Sequence, residues 1–180
     1  MKINKIIGLT TIAFVVFFSR CKLIDKLTKF DVNYSTNYTI PASLVPGILG
    51  DIFTPDITTN SEQIFTNNNT KADLLEQVNL KSLQLTITSP SGKTFDFLKS
   101  ASVFVSADGL PEVKIAYIDN IDDSVGNSIS LNATGVELKE YLKKSEITIR
   151  VAATADKTTD NSINVKIDAT FFVDAKILGV

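Results

Sequence analysis

From Ile163 onward the chain alternates apolar and polar residues with a period of two. Ile163, Val165, Ile167, Ala169, Phe171, Val173, Ala175 and Ile177 form one row. Asn164, Lys166, Asp168, Thr170, Phe172, Asp174 and Lys176 form the other, where only Phe172 is apolar. This pattern predicts a long strand with one buried and one wet face, as in an antiparallel sheet. Shorter rows of the same kind occur upstream. Phe30, Val32 and Tyr34 alternate with Asp31 and Asn33, continue to Tyr38 and Ile40, and stop at Pro41. Leu83, Leu85 and Ile87 end at Ser89-Pro90-Ser91-Gly92, and Phe95 and Phe97 follow. Val103 and Val105 lead to the turn Asp108-Gly109-Leu110-Pro111, then Val113, Ile115 and Tyr117. Ile129 and Leu131 are the next pair, then Ile147, Ile149 and Val151. Each row reads as a strand bounded by turn residues.

Two short helices interrupt the strands. Thr70 can cap the first, with Asp73 in its opening turn and Leu74, Leu75 and Val78 on its apolar side. Thr134-Gly135-Val136-Glu137 fits the capping box for the second, with Leu138, Tyr141 and Leu142 inward. Residues 41–69 carry Pro41, Pro46, Pro55, Gly47 and Gly50, which break regular structure. Their cluster Leu44, Val45, Ile48, Leu49, Ile52 and Phe53 is too apolar for a free loop. The segment is expected to fold irregularly over the core and to cover Phe172; the alternatives are a partner-binding or membrane-contacting patch for the segment and a partner surface at Phe172. Seven or eight strands with two short helices at crossovers predict a mainly β chain. The expected architecture is an antiparallel β-sandwich, immunoglobulin-like or jelly-roll-like.

The N-terminus reads differently. Lys2 and Lys5 precede the apolar run Ile6 to Phe18, and Ser19-Arg20 lead to Cys21, the only cysteine. A basic start, a short apolar run and a cleavage zone describe a secretory signal, and the run is shorter than the ~20 residues of a membrane-spanning helix. Phe18-Ser19-Arg20-Cys21 resembles the bacterial lipoprotein signal. Ser19 and Cys21 fit that pattern, whereas Phe18 and Arg20 depart from it. The resemblance covers residues 1–21 and implies cleavage before Cys21 and lipid on its sulfur. It divides the chain into a signal peptide (1–20), a lipid-anchored tether (21–29) and one sandwich domain (30–180). It implies a bacterial cell-envelope location, with the outer membrane favoured because Lys22 is not the aspartate associated with inner-membrane retention. In general pattern the mature domain is similar to uncharacterised bacterial surface lipoproteins.

Removal of residues 1–20 leaves 15 basic and 20 acidic residues, a net charge of about −5. That balance argues against nucleic acid, which selects basic patches. The chain has no histidine and no tryptophan. Ser-His-Asp and Cys-His catalysis and His-ligated zinc are therefore excluded, and no indole is present for stacking.

The remaining candidate chemistry is carboxylate chemistry. If the strands run antiparallel, the loops 89–94, 119–128 and 154–162 share one end. They bring Asp119, Asp122, Asp123, Asp156 and Asp160 to one rim, where oxygen ligands suit calcium. A glycosidase carboxylate pair is the other reading, disfavoured by the lack of nearby aromatics. No cofactor is expected. The function these features favour is a non-enzymatic envelope lipoprotein. It would be held to the membrane through Cys21 and bind or help assemble another envelope protein. The alternative is a ligand-binding module for a glycan, a lipid or calcium.

Overall fold

The computed structural model describes residues 28–42, 46, 49–53 (backbone only) and 57–177. The signal segment and Cys21 lie outside the described residues, as do Leu44, Val45 and Ile48 of the apolar cluster. The strands are β1 (Lys29–Ile40), β2 (Leu49–Phe53), β3 (Ile57–Thr58), β4 (Leu75–Ser89), β5 (Leu98–Ala107), β6 (Leu110–Ile118), β7 (Ser128–Ala133), β8 (Glu146–Ala155) and β9 (Ile163–Ala175). The helices are α1 (Ser61–Asn67), α2 (Lys139–Leu142) and one 3-10 turn (Ala72–Leu74). Strand order is β1-β9-β4-β7-β6-β5-β8-β2, with β3 also on β8, and every pairing is antiparallel. The sheet curls over at β7–β6, where the ladder is short and pairs Ala116 with Ala133 and Tyr117 with Asn132. Two faces result, β1-β9-β4-β7 against β6-β5-β8-β2, with the apolar rows between them. This is the antiparallel sandwich, jelly-roll-like in its curl.

β9 is the spine of the first face. Ile163 to Asp174 pairs β1 on one side, and Asn164 to Ala175 pairs β4 on the other. Val165, Phe171 and Val173 are buried, as the alternation requires.

The expected helix after Thr70 is absent. Only the 3-10 turn forms, and Leu75 already starts β4. The cause lies in the β4–β9 register, which skips one residue at Glu76, at Lys81 and at Thr88. Each bulge places two β4 residues opposite one partner. Leu75 and Val78, then Leu80 and Leu83, are thereby buried three apart. That spacing imitates a helical face while the backbone is a strand. Phe95 and Phe97 also depart from the strand reading. Both are fully buried but lie in the turn before β5, with stacked rings 6.2 Å apart.

The second helix is shorter than expected, and its capping box is not formed. The Thr134 hydroxyl donates to Lys114 O at 2.8 Å instead. The Glu137 carboxylate accepts from Lys139 N and from Val78 N, both at 2.9 Å. Leu138 N donates to Val78 O at 2.8 Å. Glu137 and Leu138 thus complete the β4 edge beyond the end of β7, and no backbone group of Val78 is left bare.

The described part of residues 41–69 lies against β8 and across one end of the sandwich. It therefore does not cover the outer face that carries Phe172. That side chain is half-buried between the cross-strand neighbours Asp31 and Asn79.

Candidate functional site

Strand directions give the molecule two distinct ends. Lys29, the end of β9, the start of β4, α1, α2 and the β5–β6 turn share the end where the chain enters β1. The loops 90–97, 119–127 and 156–162 share the opposite, distal end. Main-chain bonds knit these loops together. Phe95 N donates to Gly126 O, Ile121 N to Lys99 O and Asp156 N to Phe97 O, all at 3.0 Å.

The five candidate aspartates are all exposed on this distal rim. They do not converge. Lys157 sits among them and pairs Asp123 and Asp96, each at 3.2 Å. Its ammonium is held charged above the usual lysine range, chiefly by the hydrogen bond to Asp123. The Asp122 carboxylate accepts from Ser124 Oγ at 2.6 Å and Ser124 N at 2.8 Å, which keeps its carboxyl below the usual range. Asp96 is shifted down as well, first by the Thr94 hydroxyl and then by Lys157. Among the described residues, no three carboxylates are grouped as a cation would need. The rim is a lysine-centred ion-pair network with an acidic margin.

The outer face of β6-β5-β8 carries a cluster that the alternation pattern did not single out. Arg150 of β8 lies 4.1 Å from the centre of the Phe104 ring on β5, and the Lys114 ammonium lies 5.5 Å from it. Across that ring the Arg150 guanidinium grips both Glu112 oxygens on β6, at 2.8 and 2.5 Å. This hydrogen bond holds the Glu112 carboxyl below its ordinary value. Three strands are latched by one planar, bidentate contact, which a lysine would not reproduce.

Between the sheets lies an apolar cavity of about 70 Å³, reaching the seam where β1 and β3 face each other without pairing. Leu83, Leu85, Val103, Ile115 and Phe171 form its depth. Tyr34 stands at the seam. Its ring meets Phe171 edge-on at 5.7 Å, and its hydroxyl donates to the Thr59 carbonyl. Thr59 is itself fully buried and clasped, with Oγ1 donating to Lys144 O at 2.6 Å and its N–H to Ser145 O at 2.9 Å. A second, polar recess of about 700 Å³ lies between α1 and Lys143–Ser145 at the entry end.

Burial pushes the Tyr34 phenol up to about 12 from its ordinary 10.0. Between those values the folded chain keeps the proton that the unfolded chain has lost. Stability therefore falls as pH rises from about 10 to about 12. Titration followed by phenolate absorbance is expected to show a late phase near pH 12 that Tyr34→Phe removes. A late phase retained in that variant would assign it elsewhere.

No family model matches this chain, and no curated protein matches it. Solved structures similar to it include the decameric BFDV capsid protein, with a TM-score of 0.39 and 10% identity over 82% of this chain and 98% of that one. The capsid of Helicobacter pylori bacteriophage KHP30 is similar at TM-score 0.37 and 11% identity, covering 80% and 92%. FLHE is similar at TM-score 0.34 and 9% identity, covering 82% and 97%. These likenesses carry no statement of function, which rests on the chain's own residues.

Proposed function

We propose that this chain is a non-enzymatic lipoprotein of the bacterial cell envelope, anchored through lipid on Cys21, that binds a protein partner with its distal rim. The observation that carries the reading is the polarity of the domain relative to the anchor position. β1 begins at Lys29, eight residues after Cys21. A tether of that length reaches at most about 30 Å. β1 then runs its twelve residues away from the entry end, about 40 Å at 3.3–3.4 Å per residue. A membrane at the anchor would face α1, α2 and the β5–β6 turn, and the knitted loops would point away from it.

Electrostatics fits that orientation. Asp119, Asp122, Asp123, Asp156 and Asp160 lie on the distal rim, where an anionic membrane surface would repel them. The rim is rigid for a loop surface, because Phe95 and Phe97 are buried beneath it. A rigid surface loses little conformational freedom on binding.

The test has two stages. Labelled palmitate is expected on the wild-type chain, and both label and membrane recovery are expected to vanish in Cys21→Ser. An unlabelled wild type would end the anchor reading. Photo-crosslinkers at Asp160 on the rim and at Glu62 on the entry end then separate the two surfaces. One recurrent envelope protein from the Asp160 position, absent from the Glu62 position, is expected. Random neighbours from both would refute the partner role.

A further inference from the structure

We propose that the cavity beneath the β1–β3 seam is a binding site for the aliphatic tail of a neutral amphiphile, entering past Tyr34. Four observations carry this. First, the walls supply no charge, because none of the cavity-lining residues is ionised at neutral pH. Nothing inside would hold an ion or a sugar, and burying either unpaired is costly.

Second, the sandwich is incompletely filled at this level. The inward row of β9 is buried at Ile163, Val165, Phe171 and Val173, yet half-buried at Ile167 and Ala169 between them. Ile149 on β8 and Ile57 on β3 face the same space and are half-buried too. An ordinary core would close over four such side chains, since interiors pack to crystal-like density. All four line the same space.

Third, neutral hydroxyl-bearing side chains are among the residues that line this largely apolar space. Tyr34 and Thr36 occupy successive positions of the inward row of β1, between Val32 and Ile40. Thr36, opposite Ile167, places an aliphatic hydroxyl in the row beside Tyr34. Together with the Tyr34 phenol, whose hydroxyl rests on Thr59 O in the closed state, it supplies neutral rather than charged groups, suited to a hydroxyl or ester head rather than an ion.

Fourth, no strand ladder closes the seam. β1 pairs only with β9, and β3 only with β8. Across the seam the Tyr34 hydroxyl donates to Thr59 O. One neutral hydrogen bond contributes little net stability, because water competes for both partners. About 70 Å³ is roughly half the ~150 Å³ of an engineered apolar cavity that takes benzene. The closed state therefore admits a narrow chain end, and a longer tail requires the ring of Tyr34 to turn aside.

The test uses the full-length chain, in whichever cell fraction carries it, and 1-decanol carrying a diazirine at the far end of its chain. Saturable labelling competed by unlabelled 1-decanol is expected on peptides 147–151 and 167–171. Ala169→Phe fills the cavity and is expected to reduce labelling at least tenfold, with the circular dichroism spectrum retained. If that variant does not fold, the smaller Ala169→Leu provides the same comparison. Decanoate is expected to compete at least tenfold less well than decanol. Non-saturable labelling, labelling of the outer faces, or labelling undiminished in the folded filling variant overturns the site. Equal competition by decanoate overturns the neutral head. None of these outcomes depends on the anchor or on a partner at the distal rim.

Discussion

Phe95→Ala is expected to destabilise the domain by about 3–5 kcal/mol, the range for removing a fully buried phenylalanine. Phe95 has no exposed surface, and its ring stacks against Phe97, which is 1% exposed. The pair closes the distal end of the sandwich. Its backbone ties the loops above it, with Phe95 N on Gly126 O and Asp156 N on Phe97 O. Truncation removes the ring from a site that strands on both sides hold rigid, so little collapse can refill it. For a domain of this size each kcal/mol lowers Tm by about 2–4 °C, so a fall on the order of 10 °C is expected. Tyr117→Ser at the 37% exposed Tyr117 provides the contrast, with a change within about 0.5 kcal/mol. Equal effects of the two substitutions in thermal unfolding would mean that Phe95 does not anchor the distal end.

The same pair shows where sequence pattern is ambiguous. Alternation of Phe95 and Phe97 reads as a strand, because period two records which side chains face inward and not whether the backbone is paired. β9 and β1 were legible because their pattern continues long enough to exclude other readings. β4 was half legible. Its bulges at Glu76 and Lys81 put buried residues three apart, and three-residue spacing is also the signature of a helix turn. α1 gave no usable signal. It is seven residues long, its N-cap Asn60 has a left-handed backbone (φ 50°), and no side chain caps it.

The candidate sites divide in the same way. Antiparallel alternation placed the three distal loops together correctly, since that follows from strand direction alone. The lysine among their aspartates was not legible, because which loop residue points inward depends on turn geometry. The cavity was illegible in principle. Ile149, Ile167 and Ala169 continue the same apolar rows as their packed neighbours, and a row of apolar residues does not record how far apart two sheets stand.

Phe65→Ala links the least legible element to the seam. An isolated helix shorter than about 12–15 residues is marginal in water, so α1 depends on its contacts. Phe65, at 2% exposure, is its main buried side chain. Its carbonyl also receives Asn68 N at 3.1 Å and Thr70 N at 2.9 Å, while Thr70 Oγ1 reaches Lys176 O at 2.6 Å. The segment thus spans from Thr59 beside β8 to the end of β9. Losing the ring is expected to cost about 3 kcal/mol or more, with faster hydrogen exchange at the Thr70 amide. A second effect follows from position. Thr59, two residues before α1, accepts the Tyr34 hydroxyl, and Tyr34 owes its raised phenol value to burial at that seam. If α1 holds the seam shut, Phe65→Ala admits water there and brings the late tyrosine phase down from about 12 toward 10.0. If the phase stays near 12 while Thr70 exchange accelerates, the seam is held by Thr59 and its bonds to Lys144 and Ser145 alone, and α1 is only a connection between the sheets.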